Sequence, residues 1–204
     1  MKTPPLIFIL FISGVLAGCA GVSELAGIQP RQAPPEFRTK KVGLHVNEKP
    51  ERFYYYGSAA SDASDLMAFH LQQILPFNTQ TMLQEMFSAV EISEEGPKIV
   101  FKTSDLAGYF DVKIESIRYD YPDPNLSNYR ADVQLFVEFK TLDDQVIWNG
   151  IFDGHGLGFS NTNYRQSDFG RGASAALEEA FQDAVKEMGD SIAKSRTLQG
   201  YFSQ

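Results

Sequence analysis

From Tyr129 to Lys140 the chain alternates without a break. Ala131, Val133, Leu135, Val137 and Phe139 fall on one side; Arg130, Asp132, Gln134, Glu138 and Lys140 fall on the other. A period of two over this length is the signature of a strand with one buried and one wet face, and such a strand needs sheet neighbours. They are close in sequence. Phe110 to Tyr119 begins with the same alternation at Phe110, Val112 and Ile114, then slips a face at Ser116-Ile117, as a bulge would make it do. Gln145 to Asp153, with Trp148, follows across Thr141-Leu-Asp-Asp-Gln145, a tight hairpin connection. The longer link Tyr121 to Asn128 holds Pro122 and Pro124, which lack amide donors and cannot pair inside a sheet.

The apolar side of such a sheet has to be covered. Ala173, Leu177, Ala180, Phe181, Ala184, Val185, Met188 and Ile192 make one stripe of a long helix, with Glu178, Glu179, Asp183, Lys186, Glu187 and Asp190 on its solvated side. Asp65 to Val90 predicts a second helix, with Leu66, Phe69, Ile74, Met82, Leu83, Met86 and Phe87 as its apolar face. Pro76 kinks or splits it. Lys40 to Val46 and Val90 to Ser93 read as short strands, and Arg52 to Gly57 as a short strand or an ordered aromatic loop. The fold expected is α+β: an antiparallel sheet of about four to five strands with helices packed on one face, a two-layer sandwich.

The amino terminus is of another kind. Lys2 precedes a twelve-residue apolar run, Leu6 to Ala17, which ends at Gly18 and at the chain's single cysteine, Cys19. A membrane-spanning helix needs roughly 20 apolar residues. A basic start, a short apolar run and small residues at its exit fit an export signal instead. Leu16-Ala-Gly-Cys19 resembles the bacterial lipobox of the signal peptidase II type. The resemblance implies cleavage between Gly18 and Cys19, lipid on the Cys19 thiol and acylation of the new terminus. Two or more acyl chains anchor stably where one holds reversibly. Residues 1–18 are then a signal peptide, 19–36 the lipidated cysteine with a flexible tether rich in Gly, Pro, Ala and Gln, and 37–204 a single domain.

Composition narrows the function. The net charge is −8, and no run of Lys or Arg interleaves with aromatics, so nucleic acid is not an expected partner. An acidic surface suits anionic headgroups poorly and leaves attachment to the acyl chains. His45, His70 and His155 are read as lying on a strand, a helix and a loop. None has a ligand-like neighbour three or four residues away, and no metal or other cofactor is expected. Gly154 to Ser160, "GHGLGFS", lacks the Gly-Lys-Ser/Thr ending of a phosphate loop and reads as a strand end with close backbone approach or a mobile loop. No Gly-x-Ser-x-Gly occurs, and no enzymatic constellation is found. Tyr119, Tyr121 and Tyr129 around the proline-stiffened link, and Phe53, Tyr54, Tyr55 and Tyr56, are the candidate partner-binding residues, because tyrosine-rich surfaces favour protein contacts.

The order of elements, Trp148-Asn-Gly150 in a late strand and the Ala-rich final helix make the domain similar to small accessory lipoproteins of Gram-negative envelopes. These include the auxiliary lipoproteins of lipid-transporting ABC systems and those that assist polysaccharide or appendage export. The resemblance implies a periplasm-facing accessory protein acting by protein–protein binding in transport or assembly. Ala20 after the cysteine implies the outer membrane. A lipid- or glycan-binding carrier module is the alternative.

Overall fold

The computed structural model describes residues 33–47, 52–56, 74–93, 101, 105–120, 128–159 and 166–204. Cys19, the signal segment, most of the expected tether, Leu66, Phe69, His70 and Tyr121 lie outside the described residues. The chain divides into two units, Met1–Pro30 and Arg31–Gln204. The second unit holds an α+β fold built on one mixed sheet.

Strands β1 (Lys41–Asn47), β3 (Ala89–Ile92), β4 (Tyr109–Asp120), β5 (Asn128–Lys140) and β6 (Val146–Phe159) stand in the order β3-β1-β4-β5-β6. The short β2 (Arg52–Tyr56) pairs with the second half of β4. β4/β5 and β5/β6 are long antiparallel ladders, while β1/β3, β1/β4 and β2/β4 are short parallel ones. The sheet is therefore mostly antiparallel, as expected, with a parallel margin of three strands. β1 and β2, four residues apart in sequence, do not pair with each other but each lies parallel to β4. The bulge sits where the sequence slips, between Ile114 and Ser116. The Thr141–Gln145 turn is closed by Thr141 N–H to Gln145 O, and Asp144 takes the left-handed conformation (φ 63°) that Asp tolerates.

Three helices lie on one face: the described part of α1 (74–84), α2 (Gln166–Lys194) and α3 (Arg196–Phe202). α1 includes Pro76 and ends well before Val90, because the chain must extend from Ala89 to pair with Lys41. α3 is not foreseen in the stripe. Ser195 breaks the helix and caps the next one, its hydroxyl accepting from Leu198 N–H at 3.3 Å.

One apolar cluster joins these layers. Val133, Leu135 and Val137 of β5 pack with Leu177, Phe181, Val185 and Met188 of α2, while Leu83, Met86 and Phe87 close the far side. Phe37, Phe87, Phe110, Phe139 and Phe202 form an aromatic knot at one end, Phe37 stacked on Phe87 at 5.2 Å and edge-on to Phe202 at 5.0 Å. Ala33, expected in the tether, is buried in this core, so the packed unit begins before residue 37.

Candidate functional site

β6 extends to Phe159, past the Asp153 end that the hydropathy suggests, and α2 begins at Gln166 rather than after Gly172. The glycine-rich segment is thus strand, with His155 in the strand rather than a loop. Its close backbone approach is to α2. A Cβ at Gly154, Gly156 or Gly158 would collide with the carbonyl oxygens of Ala180, Ala176 and Gly172 respectively. Two strand residues advance about 6.7 Å and four helical residues about 6 Å, so the Gly-x-Gly-x-Gly row meshes with a ridge of small residues spaced by four. The glycines draw the helix onto the sheet's edge strand.

That closeness brings helix side chains to the strand's free margin. The Asp183 carboxylate accepts from His155 N–H at 3.2 Å and the Glu179 carboxylate from Leu157 N–H at 2.7 Å. Glu179, expected to be an idle residue on the solvated side of α2, instead satisfies an edge amide. Strand alternation places the main-chain groups of Asn149, Ile151 and Asp153 on this same margin. Among the described residues no side chain caps their amides.

No described helix covers the opposite face of the sheet, which carries an ion lattice. Asp111 and Glu138 stand directly opposite each other on β4 and β5. Lys140 reconciles them, its Nζ 2.7 Å from Asp111 and 2.8 Å from Glu138, and Lys113 lies 3.7 Å from both. His45 Nδ1 is 2.9 Å from Asp111, whose residue is 4% exposed. Burial works to raise the Asp111 pKa but is outweighed by the His45 and Lys140 hydrogen bonds and the two lysine charges, leaving it at about 2. For Lys140, burial works downward and is outweighed by Asp111 and Glu138, so its pKa is raised. Further along, Asp132 takes His155 Nδ1 at 2.7 Å and Arg130 Nε at 3.2 Å. Burial opposes the shift, yet these partners hold its carboxyl below the usual range. Lys113 lies over the Phe136 ring at 5.9 Å, beside the exposed Ile151 that faces Phe136 across the ladder. These charges are engaged with each other in connected networks. Among the described residues no group of His, Cys, Asp or Glu could hold a metal ion.

Two residues of the expected tyrosine surface lie inside the core instead. Tyr119 and Tyr129 are 0% and 5% exposed, and their rings stack at 6.4 Å inside the core. They occupy inward positions of β4 and β5, so neither is available to a partner. Phe53, Tyr54, Tyr55 and Tyr56 lie on β2 and pair with Ile117, Arg118, Tyr119 and Asp120; only their backbone placement is described. Sequence reasoning misses the Asp111 network and the edge caps. Acidic and basic residues alternating on the wet side of adjacent strands are the signal for the first. The small-residue row of α2 opposite a Gly-x-Gly-x-Gly strand is the signal for the second.

No family model and no curated protein matches the chain. Among solved structures it is similar to a Xanthomonas campestris protein of the DUF330 family, at 13% identity and a TM-score of 0.46 over 84% of this chain and 94% of that one. It is also similar to a minor lipoprotein from Acinetobacter baumannii, at 9% identity and a TM-score of 0.38 over 76% and 90%. A PelC dodecamer subunit from Paraburkholderia phytofirmans is similar at 13% identity and a TM-score of 0.34 over 75% and 95%. At these values the likeness carries no residue and no role over to this chain.

Proposed function

We propose that this chain is a lipid-anchored accessory protein of the cell envelope, working by binding a protein partner rather than by catalysis. The observation that carries the reading is Leu16-Ala-Gly-Cys19 at the end of a short apolar run behind a basic start. Lipid on Cys19 would tie the α+β unit to the periplasmic face of the outer membrane, the destination that Ala20 favours. No described helix is long and apolar enough to cross a membrane, which fits attachment by acyl chains. The helix-free sheet face supports a binding role. Its charges are held in pairs within and across strands, so it offers a preorganised surface that loses little side-chain freedom on contact.

Cys19→Ser tests the anchor. Metabolic labelling with an alkyne fatty acid should mark the wild-type protein and not the variant, and the variant should keep the mass of the uncleaved chain. A variant with mature mass that still partitions with membranes overturns the reading. Mild crosslinking in intact cells tests the mode of action: an accessory protein gives a discrete protein adduct, whereas co-purifying lipid or glycan without an adduct favours a carrier.

A further inference from the structure

We infer that Asn149 to Asp153, the stretch of the β6 edge that no described side chain caps, is a docking strand for an extended partner segment that alternates basic and apolar residues. The inference rests on the accessory reading above and names the part of the surface that would carry it. β6 is the outermost described strand of its side of the sheet, so among the described residues one row of its amides and carbonyls has no strand beside it. α2 closes only half of that row, with Asp183 on His155 and Glu179 on Leu157. The same row of the helix continues to Glu187, which is exposed and has no hydrogen-bond partner among the described residues.

The open half is built to stay extended. Trp148 and Phe152 stack at 6.0 Å and 26° on the helix side of the strand, and both rings close over Gly150. Aromatic cover of this kind stiffens a strand glycine. On the other side Ile151 is 58% exposed next to Phe136. A strand added here would place alternate side chains toward the carboxylates of α2 and toward Ile151. Lysine or arginine suits the first positions and an aliphatic residue the second, with main-chain hydrogen bonds supplying the rest. A second copy of this chain fits poorly. It would bring another row of carboxylates and another net charge of −8 to the same margin.

The test uses the full lipidated chain in detergent micelles and a capped peptide alternating lysine and valine. Hydrogen exchange should slow at the amides of Asn149, Ile151 and Asp153 on adding the peptide, and a glutamate–valine counterpart should leave them unchanged. Ile151→Pro removes one edge amide at a position where proline is tolerated, and should weaken binding about tenfold, the size of one main-chain hydrogen bond. Glu187→Lys, a surface change that leaves the melting temperature alone, should weaken the lysine peptide by a similar factor. Protection at other strands, equal binding of the acidic peptide, or unchanged affinity in both variants overturns the assignment. Dimers in sedimentation that Ile151→Pro dissolves would make the occupant a second copy and also overturn it. In cells, a photo-crosslinker at Asn149 is compared with one at Arg118 on the helix-free face. Adducts from Asn149 that Ile151→Pro abolishes support the edge. Adducts from Arg118 alone sink the edge assignment and leave the accessory reading standing, and adducts from neither site remove both.

Discussion

Gly156 shows how much one side chain of zero size decides. Its α-carbon faces the Ala176 carbonyl of α2 with no room for a methyl group, and the obstacle is backbone, which cannot swing aside. Gly156→Ala must therefore push helix from strand, and overpacking of this kind costs about 1–3 kcal/mol or more. The expected result is a clear fall in melting temperature, measured against Gly200→Ala, where a Cβ meets nothing. Similar melting temperatures for the two variants would mean that helix and strand do not sit this close. Asp111 makes a different residue-scale claim. Its pKa falls from an ordinary 3.8 to about 2 in the folded protein, so it stabilises the fold above about pH 4 and that contribution is lost as pH drops toward 2. Asp111→Asn should lower stability at neutral pH and flatten the decline between pH 4 and 2 in acid melts. A decline as steep as that of the wild type would show that the lattice around Lys140 is not what holds the carboxylate charged.

Among elements, α2 was the most legible and also the most incompletely read. The stripe Leu177, Phe181, Val185 and Met188 is buried as its spacing requires, and β5 alternates as its sequence does. Both are decided locally, by side chains of one element meeting one continuous core. What pattern reading loses is set by the partner element. Gly154, Gly156 and Gly158 read either as a strand end with close backbone approach or as a mobile loop; they are strand, and the α2 backbone that decides between the two lies far along the chain. Tyr119 and Tyr129 look like surface because they flank a proline-rich link, yet the alternation of their own strands turns them inward. The parallel margin of β1, β2 and β3 is nonlocal pairing, which no short window can announce. The same partner dependence divides the two faces of α2 less sharply than a helical wheel does. Phe181→Ala should cost about 3–5 kcal/mol through lost burial and a cavity. Glu179→Ala should cost about 0.5–1.5 kcal/mol, because Leu157 N–H loses its acceptor at a margin where water partly replaces it. Chemical denaturation of the two variants separates them, and equal losses would place the carboxylate inside the core's cooperative packing.

For the whole molecule, the question is where along the amino-terminal segment the folded unit begins. Sequence composition puts the boundary near residue 37, because Gly, Pro and Gln dominate before it and hydropathy rises after it. The packing puts it earlier. Ala33 and Phe37 both belong to the core, and a turn closed by Phe37 N–H to Pro34 O and Lys40 N–H to Phe37 O leads straight into β1. Phe37 is fully buried between Phe87, which precedes β3, and Phe202 in the final helix. It thus ties together the two ends of the chain segment that builds the domain. Removing it forfeits a buried aromatic, again about 3–5 kcal/mol, out of the roughly 5–15 kcal/mol that a domain of this size possesses. A chain shortened to begin at Arg31 should keep the melting temperature of the full-length protein in the same buffer. One beginning at Thr39 should melt far lower or fail to fold, and the full-length Phe37→Ala variant should reproduce most of that loss. If the Thr39 chain melts like the Arg31 chain, the segment before β1 is only a leash, and the aromatic knot closes without it.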